Sequence, residues 1–457
     1  APLTRRIDTA AATAGTSLSK TITQRARDRQ DGSHLPDTDR PAEGAAEREN
    51  DMPSVTDLMD IESEFSAEEL EVRDRIADFV DRRVRPDIGA WFDAAHLPVE
   101  LIPEMAGLGL FGMHLKGHGC PGRSAVEYGI AMQEMEAGDS GLRTVISVQG
   151  SLAMSAIHKH GSEAQKEKWL PGMAAGELIG CFGLTEPEAG SDPAGMTTRA
   201  RFEGGRWVLD GAKRWIGLAS IADLAIIWAK VDNDSARAAG VLDELRLREG
   251  VDEQVRGFIV PTDAAGFTAT PIESKLSMRA SLQCDIELRG VELDAEAILP
   301  ENPGMRGPFL CLNEARYGIA WGAMGAARDS IEAALDYAGE RRQFKTPLAG
   351  FQLTQKKLVD MTVALNQGQL LALRLGRAKD AGTLEPHMIS VAKLANCRTA
   401  IEIAREARTV FGGNGITTDH SPLRHSVNLE SVRTYEGTDE VHTLILGRKL
   451  TGIAAFA

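Results

Sequence analysis

The chain has 457 residues, 43% hydrophobic and 26% charged, with a net charge of −15; this is the composition of a multi-domain globular protein with material for large cores. A chain this acidic, with no basic run interleaved with aromatics, has no electrostatic means of coating nucleic acid or an anionic membrane. Five scattered cysteines (Cys120, Cys181, Cys284, Cys311, Cys397), an odd number with no C-x-x-C pair, argue against a disulfide framework or a zinc ribbon and suit a reducing compartment.

Residues 1–56 hold Arg5, Arg6, Lys20, Arg25, Arg27 and Arg29 among Ser, Thr and Ala, and no aromatic residue precedes Phe65. They read as a disordered tail. A bacterial cytoplasmic protein is expected, or a mitochondrial-matrix one if the tail is a transit peptide. From 57 to 178 apolar residues recur at helical spacing, as in Leu58, Ile61, Phe65, Leu70, Val72, Ile76 and Phe79, so this block is expected to be all-helical. Between 179 and 298 the texture changes to short apolar runs broken by Gly, Asp and Pro: 178–184, 206–210, 224–231, 255–260 and 284–291 read as strands of an antiparallel β domain. A charged stretch between Asp232 and Glu253 reads as an inserted hairpin arm or short helix. From 299 to the end the pattern is helical again, with long segments at 313–342, 351–380, 387–411 and 439–449.

Gly107–Gly112 spells G-x-G-x-x-G, but helical residues precede it where a dinucleotide fold needs a strand; a helix end with Gly turns is expected. His158, His160, His420 and His425 have no Cys or carboxylate cluster to complete a shell, so no metal site is expected. Two stretches are dense in chemistry. Phe182-Gly-Leu-Thr-Glu-Pro-Glu-Ala-Gly-Ser-Asp192 is a strand running into a turn that offers backbone N–H groups and the hydroxyls of Thr185 and Ser191; it fits either a planar, oxygen-rich ligand or a self-capping turn. In Arg433-Thr-Tyr-Glu-Gly-Thr-Asp-Glu-Val-His442, Thr438 is a plausible helix cap and Glu436 sits on the turn before it. Gly437 permits close approach of a ligand there.

Together with DSGLRTVISVQ (139–149), GCFGLTEP (180–187), NEARYGIAW (313–321), FGGNG (411–415) and TYEGT (434–438), these stretches resemble the flavin-dependent acyl-CoA dehydrogenase family, most narrowly its glutaryl-CoA dehydrogenase branch. The resemblance covers the chain from about residue 57 onward. It implies an α+β fold with an N-terminal helical domain, a central antiparallel β domain and a C-terminal four-helix bundle. It also implies oxidation and decarboxylation of glutaryl-CoA to crotonyl-CoA, FAD as cofactor, electron-transfer flavoprotein as acceptor, and a homo-oligomer, typically a tetramer.

Residue by residue, the resemblance makes Glu436 the base that removes the α proton of the acyl thioester. A carboxylate can do so only where solvent is excluded and the thioester carbonyl is polarised. Phe182, Leu184, Thr185, Gly190 and Ser191 would line the cofactor, with Trp215 and Gly217 beside the ring; Thr438 and Glu440 would complete that site. Arg341, Gln352, Gly412 and Gly413 would reach the FAD of a neighbouring subunit. Arg143 would hold the substrate's distal carboxylate in a bidentate fork, with Glu136 and Thr144 nearby; the alternative is an arginine that pairs with Asp139 at a helix end. Ser191, Tyr435 and Gly437 would line the substrate, and Arg316 would bind its CoA portion.

Two features depart from the family's pattern. The family has Trp-Ile-Thr or Trp-Ile-Ser where this chain has Trp215-Ile-Gly217, so a hydroxyl donor to the flavin is missing. The charged 232–253 stretch has no counterpart in it. Other readings stay open: a dehydrogenase of another acyl-CoA or of a carrier-bound thioester, or a flavin-binding scaffold without activity, against which the intact Glu436 argues.

Overall fold

The structure, a computed structural model, describes residues 55–239, 253–301 and 304–455. Residues 1–54 of the expected tail, and 240–252 of the charged insert, lie outside the described residues. Thr56 is already part of the fold: it is buried, and its carbonyl accepts from Asn366 Nδ2 at 2.7 Å.

The first block contains α1 (Ala67–Phe79), α2 (Ile88–Asp93), α3 (Ile102–Gly107), the hairpin β1 (Lys116–Gly117) and β2 (Cys120–Pro121), α4 (Ala125–Gly138), α5 (Ser140–Ile146), α6 (Ser155–His160) and α7 (Glu163–Ala174). Helix starts follow local chemistry. Ser66 and Glu69, Ser124 and Glu127, and Ser162 and Gln165 each form a reciprocal capping box, satisfying the otherwise orphaned N–H groups of α1, α4 and α7. The Gly107–Gly112 segment is the helix end that its context predicts: α3 stops at Gly107, and Gly109 and Gly112 take left-handed φ of 73° and 62°. A π-type stretch, Ser147–Met154, joins α5 to α6 without a break. All fourteen residues of α4 are buried, so it runs through the interior.

The middle block holds β3 (Gly180–Gly183), β4 (Arg199–Glu203), β5 (Arg206–Gly217), β6 (Leu224–Asp232), α8 (Asn233–Ala238), β7 (Glu253–Pro261), β8 (Phe267–Pro271) and β9 (Gln283–Asp294). The sheet order is β3-β6-β4-β5-β9-β8, with β7 added to β6. Pairings are antiparallel except at β6, which runs parallel to both β3 and β4. That explains why β6 is apolar and buried from Leu224 to Ala229 rather than alternating. Of the 232–253 insert, the described part opens as the short helix α8.

The last block comprises α9 (Arg306–Glu340), the hairpin β10 (Arg342–Gln343) and β11 (Thr346–Pro347), α10 (Gln352–Asp380), α11 (Pro386–Val410), α12 (Ser421–Thr434) and α13 (Asp439–Thr451). α9 packs against α4, α10, α11 and α12, so first and last blocks share one core. The approach of α9 to α4 is close enough that a Cβ on Gly325 would stand 1.8 Å from the Gln133 carbonyl oxygen. α12 had no counterpart among the expected helices, and it is the element that leads into Glu436. Among the described residues, no helix is long and apolar enough to cross a membrane.

Candidate active site

α12 ends at Thr434, and Tyr435, Glu436 and Gly437 carry the chain to Thr438, whose Oγ1 accepts from Val441 N and caps α13 as expected. Glu436 has φ of +55°, a strained value for a residue with a Cβ. Two buried cations hold the turn. Arg316 Nε donates to the Glu436 carbonyl at 2.6 Å, and Lys393 Nζ donates to the Gly437 carbonyl at 2.7 Å. Gly437 is required twice over: its φ is +103°, and a Cβ there would lie 3.0 Å from His442 Nε2 and 3.3 Å from Arg316 Nη2.

Glu436 Oε2 is shielded from water and has no hydrogen-bond partner among the described residues. Burial pushes the carboxyl up to about 7, against the opposing pull of Arg143, Lys393 and Arg316. A buried acid with that value is matched to proton transfer near neutrality. Among the described residues, no acceptor takes the Glu436 N–H. His442 lies beside the turn, Nδ1 paired with Ser390 Oγ at 3.0 Å; burial and then the neighbouring Lys393 and Arg316 charges push it down to about 3, so it is neutral.

Arg143, on α5, is 1% exposed and Glu136, on α4, is 0% exposed. Arg143 Nε meets Glu136 Oε2 at 2.7 Å, and Nη2 donates to the Tyr435 hydroxyl. Burial works against the guanidinium's charge, yet Glu136 and Tyr435 hold its pKa above the ordinary value. Burial likewise raises the Tyr435 phenol. A Cβ on Gly322 of α9 would fall 2.1 Å from Glu136 Oε2, so the pair needs a glycine opposite it. Thr144 donates back to the Ser140 carbonyl at 2.8 Å and lies within reach of the Tyr435 hydroxyl. The alternative in which Arg143 pairs with Asp139 does not hold. Asp139 instead caps α5 through Gly141 N and accepts from Arg424 Nη1 and Asn428 Nδ2 of α12, tying the helix that carries Arg143 to the helix that delivers Glu436.

The 182–191 segment is anchored from beneath. Glu186 accepts from the backbone N–H and hydroxyl of both Thr197 and Thr198, and forms a buried ion pair with Lys213 at 2.8 Å. Burial would raise the Glu186 carboxyl, but Lys213 and the hydrogen bonds hold it at about 2; burial pushes Lys213 down to about 8. Lys213 Nζ also donates to the Leu184 carbonyl, and Arg214 N to that of Thr185. The Phe182 side chain packs into the core against Trp228, so this residue offers a ligand its backbone. Gly190 and Ser191 lie exposed at the tip of the turn.

A register shift between Lys213 and Ile216 on β5 turns Trp215 outward, with φ of +64° and 53% exposure, under the Arg214 guanidinium. At Gly217 a Cβ would stand 3.0 Å from Val148 Cγ2.

Four expected cofactor residues lie elsewhere: Arg341, Gly412 and Gly413 near Tyr337 at the end of α9, and Gln352 at the start of α10. Arg341 N donates to the Tyr337 carbonyl, Tyr337 stacks with Phe411 at 4.5 Å, and its hydroxyl accepts from Asn414 Nδ2 at 3.0 Å. Arg341 and Gln352 bracket the β10–β11 hairpin, and Gly412 and Gly413 follow Phe411 directly. Glu440 is exposed on the first turn of α13. Its neighbour Asp439 is engaged by Arg398 and Arg433.

Reasoning from the sequence missed Lys393, His442, Ser390 and the Glu186–Lys213 pair. The signal for Lys393 was its register: it falls on the α11 face shared by Ile389, Asn396, Cys397 and Ala400, which is buried.

Comparison with known proteins bears on the family. Models of the acyl-CoA dehydrogenase N-terminal, middle and C-terminal domains match residues 66–177, 181–291 and 302–451. A glutaryl-CoA dehydrogenase of Mycobacterium smegmatis is 54% identical, with a TM-score of 0.82, covering 88% of this chain and 99% of that one. A glutaryl-CoA dehydrogenase from the same organism in complex with FADH2 is 51% identical, TM-score 0.82, covering 88% and 98%. The mitochondrial short-chain specific acyl-CoA dehydrogenase of Homo sapiens is 34% identical over 377 residues, 82% of this chain and 87% of that protein.

Proposed function

The chain belongs to the acyl-CoA dehydrogenase family, and from that premise we propose that it is an FAD-dependent glutaryl-CoA dehydrogenase that yields crotonyl-CoA and carbon dioxide, with electron-transfer flavoprotein as electron acceptor. The observation that carries the substrate is the fully buried Arg143, joined through Tyr435 to the turn that bears Glu436. Its Nε and Nη2 are committed to Glu136 and Tyr435, and no hydrogen bond from Nη1 is present among the described residues. A distal carboxylate entering this enclosed site loses its hydration, which only a cation compensates.

Glu436 removes the proton from the substrate's α carbon. Its own N–H, unclaimed by the protein, is suited to polarise the thioester carbonyl as charge develops there. Arg316 and Lys393 keep that peptide in place. Bound FAD supplies the acceptor for the β hydride. The residues fit the cofactor: a Cβ built on Gly190, Gly412 or Gly413 meets nothing within 4 Å, leaving backbone open to pyrophosphate, and the exposed Trp215 offers an aromatic surface to the ring. Phe182, Leu184, Thr185, Ser191, Gly217, Thr438 and Glu440 complete this site. Arg341, Gln352, Gly412 and Gly413 serve the FAD of a second subunit in a homotetramer.

One observation favours a second reading. Glu136 already neutralises Arg143, so the pocket tolerates an uncharged tail, and a short monoacyl-CoA or carrier-bound acyl thioester becomes the substrate. Flavin bleaching measured with glutaryl-CoA and butyryl-CoA decides between them. The glutaryl reading requires the larger kcat/KM on the diacid, with crotonyl-CoA as product; a preference for butyryl-CoA overturns it.

A further inference from the structure

The turn carrying the base is held by a lysine that none of the expected roles includes. Lys393 is 1% exposed, lies in the middle of α11, and directs its ammonium at the Gly437 carbonyl, 2.7 Å away. Burial pushes the Lys393 ammonium below its ordinary pKa, opposed by Cys397 and Glu436, so the buried charge needs a use. Here the partner is one peptide oxygen rather than a carboxylate at hydrogen-bond distance. The groups around the turn come from several elements: Tyr128 from α4, Arg143 from α5, Arg316 from α9, Lys393 and Cys397 from α11, and Asp439 and His442 from α13, with Tyr435 beside the base. Of these, Arg143 is paired to Glu136 and Asp439 to Arg398 and Arg433. The buried Tyr128 and the partly buried Tyr435 are phenols held above their ordinary pKa, Cys397 is a buried thiol pushed up to about 11, and His442 is neutral. Arg143, Lys393 and Arg316 all draw the Glu436 carboxyl down; of the three, Arg143 is paired with a carboxylate at hydrogen-bond distance, while Lys393 and Arg316 are bound to peptide oxygens of the turn.

We propose that Lys393 is a positioning residue for the base. Its ammonium pins the Gly437 carbonyl, which fixes the left-handed Glu436–Gly437 turn, and its charge, together with those of Arg143 and Arg316, keeps the Glu436 carboxylate, whose Oε2 is shielded from water, ionised. This inference rests on Glu436 being the base. Desolvation alone would drive a buried carboxyl above neutrality, and the cations around it oppose that.

The test uses the full-length protein with FAD bound and follows loss of flavin absorbance on mixing with glutaryl-CoA or butyryl-CoA across a pH series. Lys393→Gln keeps a donor for the Gly437 carbonyl but removes the charge; Lys393→Arg keeps the charge. The Gln variant should show the apparent pKa of flavin reduction moved up by ~1 unit, with a rate about tenfold lower below it and recovered above it. The Arg variant should keep the parent's apparent pKa within a few tenths. A purely structural role predicts a uniform fall at every pH with no shift, and that result in Lys393→Gln overturns the proposal. Should Lys393→Gln fail to retain FAD, Lys393→Arg still decides, because an apparent pKa raised in a variant that keeps the charge is incompatible with the electrostatic role. Glu436→Gln is run alongside. If it still bleaches, the base assignment and the role of Lys393 fall together; an inert Glu436→Gln beside an unshifted Lys393→Gln removes the role of Lys393 alone.

Discussion

Replacing Arg143 by alanine perturbs two carboxylates at once, and the structure shows how to separate the effects. The guanidinium is fully buried and 2.7 Å from Glu136, itself without exposure. Its loss strands the Glu136 charge, a change that costs about 3–5 kcal/mol of stability for a buried pair. Because Arg143 leads the cations that hold the Glu436 carboxyl down, its removal also drives the base upward from about 7, slowing every substrate near neutrality. Neither effect discriminates between thioesters. The discriminating effect is the lost partner of a distal carboxylate, ~2–5 kcal/mol when the contact is buried, or about 30-fold to several thousand-fold in kcat/KM. Glutaryl-CoA should therefore lose that factor relative to butyryl-CoA, measured well above the variant's apparent pKa so that the base is ionised in both proteins. Arg143→Lys should recover only part of the ratio, because an ammonium keeps the charge but cannot serve Glu136, Tyr435 and a substrate carboxylate in one plane. Equal losses on the two thioesters would falsify the carboxylate-binding role and leave Arg143 as a structural partner of Glu136.

Glu436→Gln should retain FAD and lose flavin reduction by ~10²–10⁴-fold or more; bleaching near the parent rate places the base elsewhere. The same variant carries a stability signature. Folding raises the Glu436 pKa from 4.5 to about 7, so the parent's stability from this group is complete below pH 4.5 and is lost as pH rises through 7. Glu436→Gln should then unfold later than the parent at about pH 8, by on the order of 1–3 kcal/mol, with the gap closing towards pH 4.5; a gap that ignores pH contradicts the burial of the charge. Gly217→Ser should raise the flavin's two-electron potential by ~10–30 mV, the equivalent of one net hydrogen bond. Because its Cβ would press on Val148 Cγ2 at 3.0 Å, the shift should be clearer in a Val148→Ala background; an unchanged potential in both backgrounds means that the ring edge already has its donor. Lys213→Met should destabilise the protein by about 3–5 kcal/mol and weaken FAD retention, since Glu186 loses the only ionic partner it has among the described residues; unchanged melting and FAD content would show that the threonines suffice to anchor the turn.

What the sequence revealed and concealed follows from which forces shaped each element. α9, α10, α11 and α13 were legible because long helices that bury an apolar stripe carry that stripe in their spacing. α12 was not, because much of its packing is polar: Arg424 and Asn428 reach Asp139 and His425 reaches Asp329, contacts to which a hydrophobic pattern is blind. The five-residue strands β4 and β8 are too short for an alternation to stand out, and the parallel pairing of β6 depends on partners distant in sequence. Trp215 and Gly217 were found as a motif, but their placement hangs on a bulge in β5 that only the ladder with β9 discloses.

The site itself divides in the same way. Glu436, Tyr435 and Gly437 are contiguous, so the chain displays them together, while the groups that give the base its strength arrive singly. Arg143 comes from α5, Arg316 from α9 and Lys393 from α11, so no one stretch of sequence displays them together. Spacing alone does not show the Glu136–Arg143 pair, which the resemblance had set side by side: the chain leaves the helix at Asp139, with ψ of 141°, and a seven-residue separation carries no fixed geometry across that break. A buried carboxylate working near neutrality needs enough positive charge to remain ionisable, but not so much that it ceases to be basic. This fold meets that condition by pairing Arg143 with Glu136 and holding Arg316 and Lys393 on the peptide oxygens of the turn, so that three cations pull the carboxyl down without overcoming its burial. The acidity of the base is therefore a property of the packing between helices, which is why a single motif can name the residue that acts but not the residues that tune it.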